Sequence, residues 1–142
     1  MALTFKFYHD AALTQEITSL SELTATQDGG VLLGPVNKTI YLGSTATGTK
    51  LQVTTAPGVD PVVVSIVDAA GGSGAPATEF RLSLSPITGA ETPGASLSLS
   101  NTILSGVGNR VTIYTRRTSA LTVPAVHTDV SLQVVNPYES PV

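Results

Sequence analysis

The sequence predicts an all-β domain: an antiparallel two-sheet sandwich of about eight strands, jelly-roll-like, with one long N-terminal connection. Aliphatic residues alternate with Ser and Thr, as in Phe80-Arg81-Leu82-Ser83-Leu84-Ser85 and Ser96-Leu97-Ser98-Leu99-Ser100. A period of two sends one set of side chains to each face of a pleated strand. Turn formers punctuate these stretches at Thr47-Gly48, Pro57-Gly58, Gly71-Gly72-Ser73-Gly74, Pro93-Gly94 and Gly106-Val107-Gly108-Asn109, supplying positive φ or a fixed turn dihedral. The helical patterns of about 10–15 residues that build parallel crossovers are missing, so antiparallel pairing is favoured.

Strands are expected near residues 3–8, 38–43, 50–55, 62–67, 79–85, 96–100, 110–117 and 129–136. Residues 62–67, Val-Val-Val-Ser-Ile-Val, form the most apolar run and read as a strand buried on both faces. The run is far short of the ~20 residues that cross a bilayer. Residues 9–37 form the long connection, beyond the ~12–15 residues at which a connection usually holds an element or a working loop. Within it, Ser19-Leu20-Ser21-Glu22 has capping-box spacing, which offers a short helix from about Leu20 to Ala25 ending at Asp28-Gly29-Gly30. Pro124 makes residues 118–128 an edge or an exposed loop. Pro137 and Pro141 lack the N–H a ladder needs. The domain is therefore expected to span residues 1–136, with 137–142 leaving it as a C-terminal arm.

The chain has 142 residues, enough for one domain that buries roughly 68–70% of its unfolded surface. Charged residues make up 12%, against about 25% in ordinary soluble domains, so the exterior lacks the usual ionic coat. Hydrophobic residues are 42% and mean hydropathy is +0.26, which argues against a disordered tail. Net charge is −3, and the basic residues Lys6, Lys38, Lys50, Arg81, Arg110, Arg116 and Arg117 are scattered. Direct nucleic-acid binding, which needs a clustered basic footprint, is not expected. Nor is a membrane partner. With no cysteine, disulfides and thiolate zinc sites are excluded. The opening residues lack the pattern of a signal peptide, and no repeat or heptad points to a solenoid or coiled coil.

The residues offer little for catalysis. The only histidines are His9 and His127, and no Gly-x-Ser-x-Gly elbow surrounds a serine. His9-Asp10 and His127-Thr128-Asp129 each place an imidazole near a carboxylate, and both read as polar groups of turns and strand edges. Asp28, Asp60 and Asp68 stand alone instead of forming a calcium loop. Aromatic residues are 5% and Trp is absent, which disfavours stacking on sugars; Tyr41, Tyr114 and Tyr138 are expected at sheet margins with wet hydroxyls. The glycine-rich loops lie between strands and do not form phosphate cradles. No catalytic, metal or cofactor site is expected. The strand over 110–117 ends in two guanidinium groups, which read either as solvated charge or as an interface anchor, since Tyr and Arg are frequent interface hot spots. The candidate protein-interface residues are Tyr114, Arg116 and Arg117, with Leu20 and Leu23 in the long connection and Pro137 and Tyr138 in the arm.

The opening phrase Phe5-Lys6-Phe7-Tyr8-His9-Asp10-Ala11-Ala12-Leu13-Thr14, together with small size, strand patterning and a charge-poor, Ser/Thr-rich surface, resembles the small jelly-roll capsid decoration, or cement, proteins of tailed double-stranded DNA bacteriophages. The resemblance implies a non-enzymatic virion protein on the capsid exterior, made in the host cytoplasm. Its partner would be the major capsid protein, whose neighbouring copies it clamps, and it would self-associate as a homodimer or homotrimer. A phage tail, baseplate or fibre module, or a host-glycan-binding adhesin domain, is the alternative. The resemblance carries no functional residue onto an individual position.

Overall fold

A computed structural model describes residues 3–17, 27–28, 31–32, 36–68, 77–118 and 130–142. The alternating stretches form strands β1 (Lys6–Tyr8), β2 (Gln27–Asp28), β3 (Val31–Leu32), β4 (Val36–Gly43), β5 (Thr49–Val53), β6 (Val63–Asp68), β7 (Phe80–Ser83), β8 (Leu97–Ser98), β9 (Ile103–Leu104), β10 (Val111–Arg117), β11 (Val130–Val134) and β12 (Pro137–Pro141). Every pairing between them is antiparallel. One sheet has the order β1-β4-β10-β7, and β2-β3 is a separate two-stranded ribbon.

The orders β11-β6-β8 and β12-β5-β9 are two halves of one three-stranded sheet. On one side β11 follows β6 to Val134↔Val64 and β12 then takes up β5 at Pro137↔Val53. On the other side β8 meets β6 at Leu97↔Val64 and β9 meets β5 at Ile103↔Leu51. Backbone hydrogen bonds cross the break: Val135 N to Val63 O at 2.9 Å, Thr54 N to Asn136 O at 3.0 Å and Leu99 N to Val62 O at 2.7 Å. The break is the loop 54–62 inserted into the central strand, matched by Asn136 at φ 48° in the strand beside it. Asn is among the few residues that tolerate this left-handed conformation. With the interrupted strands counted whole, the sandwich has, among the described residues, four strands in one sheet and three in the other. From β4 onward, successive strands alternate between the sheets, which is a jelly-roll-like path.

The two inward faces bury against each other. Phe7, Ile40, Leu42, Leu82 and Ile113 of the four-stranded sheet share one core with Leu51, Val53, Val62, Val64, Leu99 and Ile103 of the other. Each such side chain contributes roughly 1.5–3 kcal/mol by leaving water. Phe80 and Val130 extend the core with Ile66 and Leu132.

Four expectations are corrected or refined. Residues 62–67 are not buried on both faces: Val62 and Val64 are buried, while Val63, Ser65 and Val67 are half-buried on the outer side. The 96–100 stretch continues past a break into β9, which the sequence left unassigned. The expected 79–85 strand stops at Ser83, and Leu84 is exposed. Residues 137–141 are an edge strand and not a free arm. Asn136 O and Val142 N both bond across to the β5 strand, at Thr54 and Gly48, so alternate residues between them face the ladder. Pro137 and Pro141 fall on the other set, where no N–H is needed, and they leave that edge unable to pair further. The short helix considered at 20–25, the Gly71–Gly74 turn and Pro124 lie outside the described residues.

The long connection begins as a turn. The Asp10 carboxylate accepts from Thr14 N at 3.0 Å, Thr14 Oγ1 at 2.5 Å and Gln15 N at 2.8 Å, bonds led by the Thr14 hydroxyl that hold its carboxyl below the ordinary range. Residues 15–17 then return beside β1, with His9 N bonded to Gln15 O and Ile17 N to Phe7 O, both at 2.8 Å. Leu13, at φ 57°, is buried against Gly43, where an added Cβ would come within 2.8 Å of Leu13 Cδ1.

A buried carboxylate ties the two chain ends. Glu139, 7% exposed, accepts from Thr4 N at 2.6 Å, Thr4 Oγ1 at 2.5 Å and Thr49 Oγ1 at 2.9 Å. Burial pushes its carboxyl up, but the Thr4 and Thr49 bonds outweigh that and hold it below the ordinary range. The stabilisation is present above the unfolded carboxylate range and is lost as pH falls through the lowered native value. Urea midpoints should show Glu139→Gln less stable than the parent at pH 7, with the gap closing in strong acid. Ile113→Ala, at the core centre, should lower unfolding free energy by about 2–5 kcal/mol at any pH.

Candidate functional site: two unlike outer faces

On β10 the side chains of Ile113, Thr115 and Arg117 are buried and those between them are half-buried, so Thr112, Tyr114 and Arg116 face outward. Register then builds rows across the four-stranded sheet: Tyr8, Tyr41 and Thr112; Thr39, Tyr114 and Ser83; Asn37, Arg116 and Arg81. The segment after β7 comes back over this face. Arg81 Nε donates to Glu91 O at 3.1 Å, Arg116 Nη2 to Ile87 O at 3.5 Å, and Arg116 Nε to Asn37 Oδ1 at 2.7 Å. Under it lies a shallow cavity of about 180 Å³ lined by Asn37, Lys38, Thr39, Pro86, Ile87 and Tyr114. At the far end Arg110 stacks over the Tyr41 ring at 5.7 Å.

Glu91 sets the shape of that segment. Its carboxylate accepts from Thr88 N at 3.1 Å and Gly89 N at 2.9 Å, and from Thr88 Oγ1 at 3.1 Å. These bonds, the Thr88 backbone first, lower its carboxyl to about 2.

The outer face of the three-stranded sheet is different. One half presents Ser131, Gln133, Val63, Ser65, Val67 and Ser98; the other presents Tyr138, Ser140, Lys50, Gln52 and Leu104. Among the described strand residues facing outward here, Lys50 is the one charge. Tyr138 is 46% and Leu104 44% exposed. A second hollow of about 280 Å³ opens at the strand break, between Val53, Pro61, Val63 and Val135, with Thr55, Asp60 and Asn136 at its polar side.

The predicted interface residues do not converge. Tyr114 and Arg116 share the outer face of β10. Arg117, the next residue, points the opposite way: it is 5% exposed, its Nη2 lies 3.3 Å from Glu79 Oε2, and its guanidinium covers the Phe80 ring at 5.4 Å. It is therefore a core ion pair and not an accessible anchor; removing one partner of such a pair typically costs about 3–5 kcal/mol. Pro137 and Tyr138 are exposed on β12, on the other sheet. Leu20, Leu23, His127 and Asp129 lie outside the described residues. Asp10 bonds its own turn. Among the described residues no three His, Asp or Glu side chains gather as metal ligands.

Arg81, Asn37 and Glu91 escaped the sequence reading. Alternation puts Arg81 outward, but only the register of β7 on β10 sets it opposite Arg116. Glu91→Gln should speed amide exchange at Thr88 and Gly89 while leaving β4 and β10 protected. In the parent, side-chain NMR should place the Glu91 titration near 2. Compared with protein families, with characterised proteins and with solved structures, the chain finds no match.

Proposed function

We propose that the chain is a non-enzymatic structural protein of a virion, which binds the outside of a tailed-phage capsid and clamps neighbouring major capsid proteins. The observation that supports this reading best is the outer face of the three-stranded sheet, hydroxylic, dotted with Tyr138 and Leu104, and carrying Lys50 as its single charge among the described strand residues. Cores of protein interfaces are depleted of charge and enriched in Tyr, because a desolvated charge without a partner is costly and a hydroxyl finds one easily. A clip seated across a seam stabilises the closed shell by mass action, since its contacts are lost when the shell opens. Repeated, symmetric seats favour a symmetric homodimer or homotrimer.

The resemblance of the Phe5–Thr14 phrase adds little weight, because Asp10 and Leu13 are accounted for by the local turn. The weight rests on the charge-poor face. Purified protein mixed with undecorated shells should sediment with them at fixed stoichiometry and raise the temperature at which they open. Ser65→Glu with Leu104→Glu should weaken that binding by about tenfold or more without lowering the thermal midpoint of the free protein. No stoichiometric binding, or binding with no gain in heat resistance, would overturn the proposal.

A further inference from the structure

The opposite face carries a different chemistry. We infer that the outer face of the four-stranded sheet, centred on Arg81 and Arg116, docks an extended acidic polypeptide segment. The inference goes beyond the capsid reading and stands whichever assembly the protein serves.

Arg81 and Arg116 are directly opposite on neighbouring antiparallel strands, an arrangement in which like charges repel. The fold does not relieve that repulsion. Their hydrogen-bond partners are the Glu91 and Ile87 carbonyls and the Asn37 amide oxygen, and among the described residues neither guanidinium has a carboxylate partner. Glu91, the acid of the segment that crosses this face, is committed to Thr88 and Gly89. Both Nε atoms are pinned, so the two planar forks are oriented in advance. Nη1 and Nη2 of Arg81 and Nη1 of Arg116 have no hydrogen-bond partner among the described residues. A guanidinium fork matches a carboxylate with two parallel bonds.

The surroundings specify the partner further. Arg110, the residue before β10, is six residues from Arg116; its Nη1 donates to the Val107 carbonyl at 3.0 Å and its guanidinium lies over the Tyr41 ring. At about 3.4 Å per residue that is some 20 Å, the span of an extended peptide of about six residues. Beside the arginine pair, the cavity of about 180 Å³ is lined by Asn37, Thr39 and Tyr114 of the sheet and by Pro86 and Ile87 of the overlying segment, which gives room for one side chain of such a peptide. A phosphodiester or sulfated polymer needs a continuous cationic track, and this face has separated arginines with the hydroxyl-bearing Thr112, Tyr114, Thr39 and Ser83 between them. In a chain of net charge −3, this is where charge complementarity selects an acidic partner.

The test is fluorescence anisotropy with labelled decaglutamate, against decaglutamine and a heparin-derived decasaccharide, at low and physiological salt. The parent should bind decaglutamate and not decaglutamine, with affinity falling as salt rises. The double variant R81Q/R116Q should lose about tenfold or more and K50Q on the other sheet should lose nothing, with R81Q/R116Q still folded at the assay temperature although it gives up the bonds to Glu91, Ile87 and Asn37 together with the like-charge pair. R81K/R116K keeps the charge and loses the fork, so it should bind between the two. Equal binding of both peptides, undiminished binding by R81Q/R116Q, or an equal loss in K50Q would overturn the inference. So would preferential, arginine-dependent binding of the heparin decasaccharide, which would transfer the site to another class of ligand.

Discussion

Two sheets, each apolar on one side only, have nothing but each other to bury against. The chain has no cysteine to staple them, so the contact of Ile40, Leu42 and Ile113 with Leu51, Val62 and Val64 fixes everything placed around it. A slip of one residue in β4 or β10 would turn that inner set out to solvent and bring Tyr41 and Tyr114 in. The same constraint governs the break in the three-stranded sheet. Val134 packs on the core before the break and Glu139 is buried after it, an odd number of residues apart, so the strand must shift phase once. Asn136 in the left-handed region makes that shift.

With both inner faces committed, chemistry is left to the outer ones, and the two have diverged. One is hydroxylic and nearly without charge, suited to being covered by protein at small desolvation cost. The other holds Arg81, Arg110 and Arg116 against carbonyls instead of carboxylates, so its positive potential remains available. Polar groups buried between the sheets serve the fold: Glu139 joins the start of the chain to its last strand, and Arg117 with Glu79 closes the corner beside Phe80. The proposed clamp would hold two things at once, and a sandwich with unlike outer faces offers two unlike grips.

The fold class was legible because alternation is a local signal: Phe80-Arg81-Leu82-Ser83 and Ser96-Leu97-Ser98-Leu99 declare their faces without reference to any partner. What depends on register was hidden. The two prolines of β12 read as strand breakers, and only the hydrogen-bond parity set by Thr54 and Gly48 shows that they cost the ladder nothing. Adjacent arginines looked like one basic end; strand geometry sends Arg116 out and Arg117 in. Tyr114, Arg116 and Tyr138 were legible as outward residues, whereas Arg81 and Asn37 joined them only through pairings far apart in sequence. The Asp10 phrase, which carries the resemblance, forms a turn held by the Asp10 carboxylate.

The surface proposed to seat on the shell is the charge-poor outer face of the three-stranded sheet. Hydroxyl-radical footprinting of the chain, free and bound to undecorated shells, reads that directly through Tyr138 and Leu104. Both are accessible in the free protein, and their oxidation should fall sharply on the shell. Stoichiometric binding with Tyr138 and Leu104 oxidised as fast as in the free chain would contradict it.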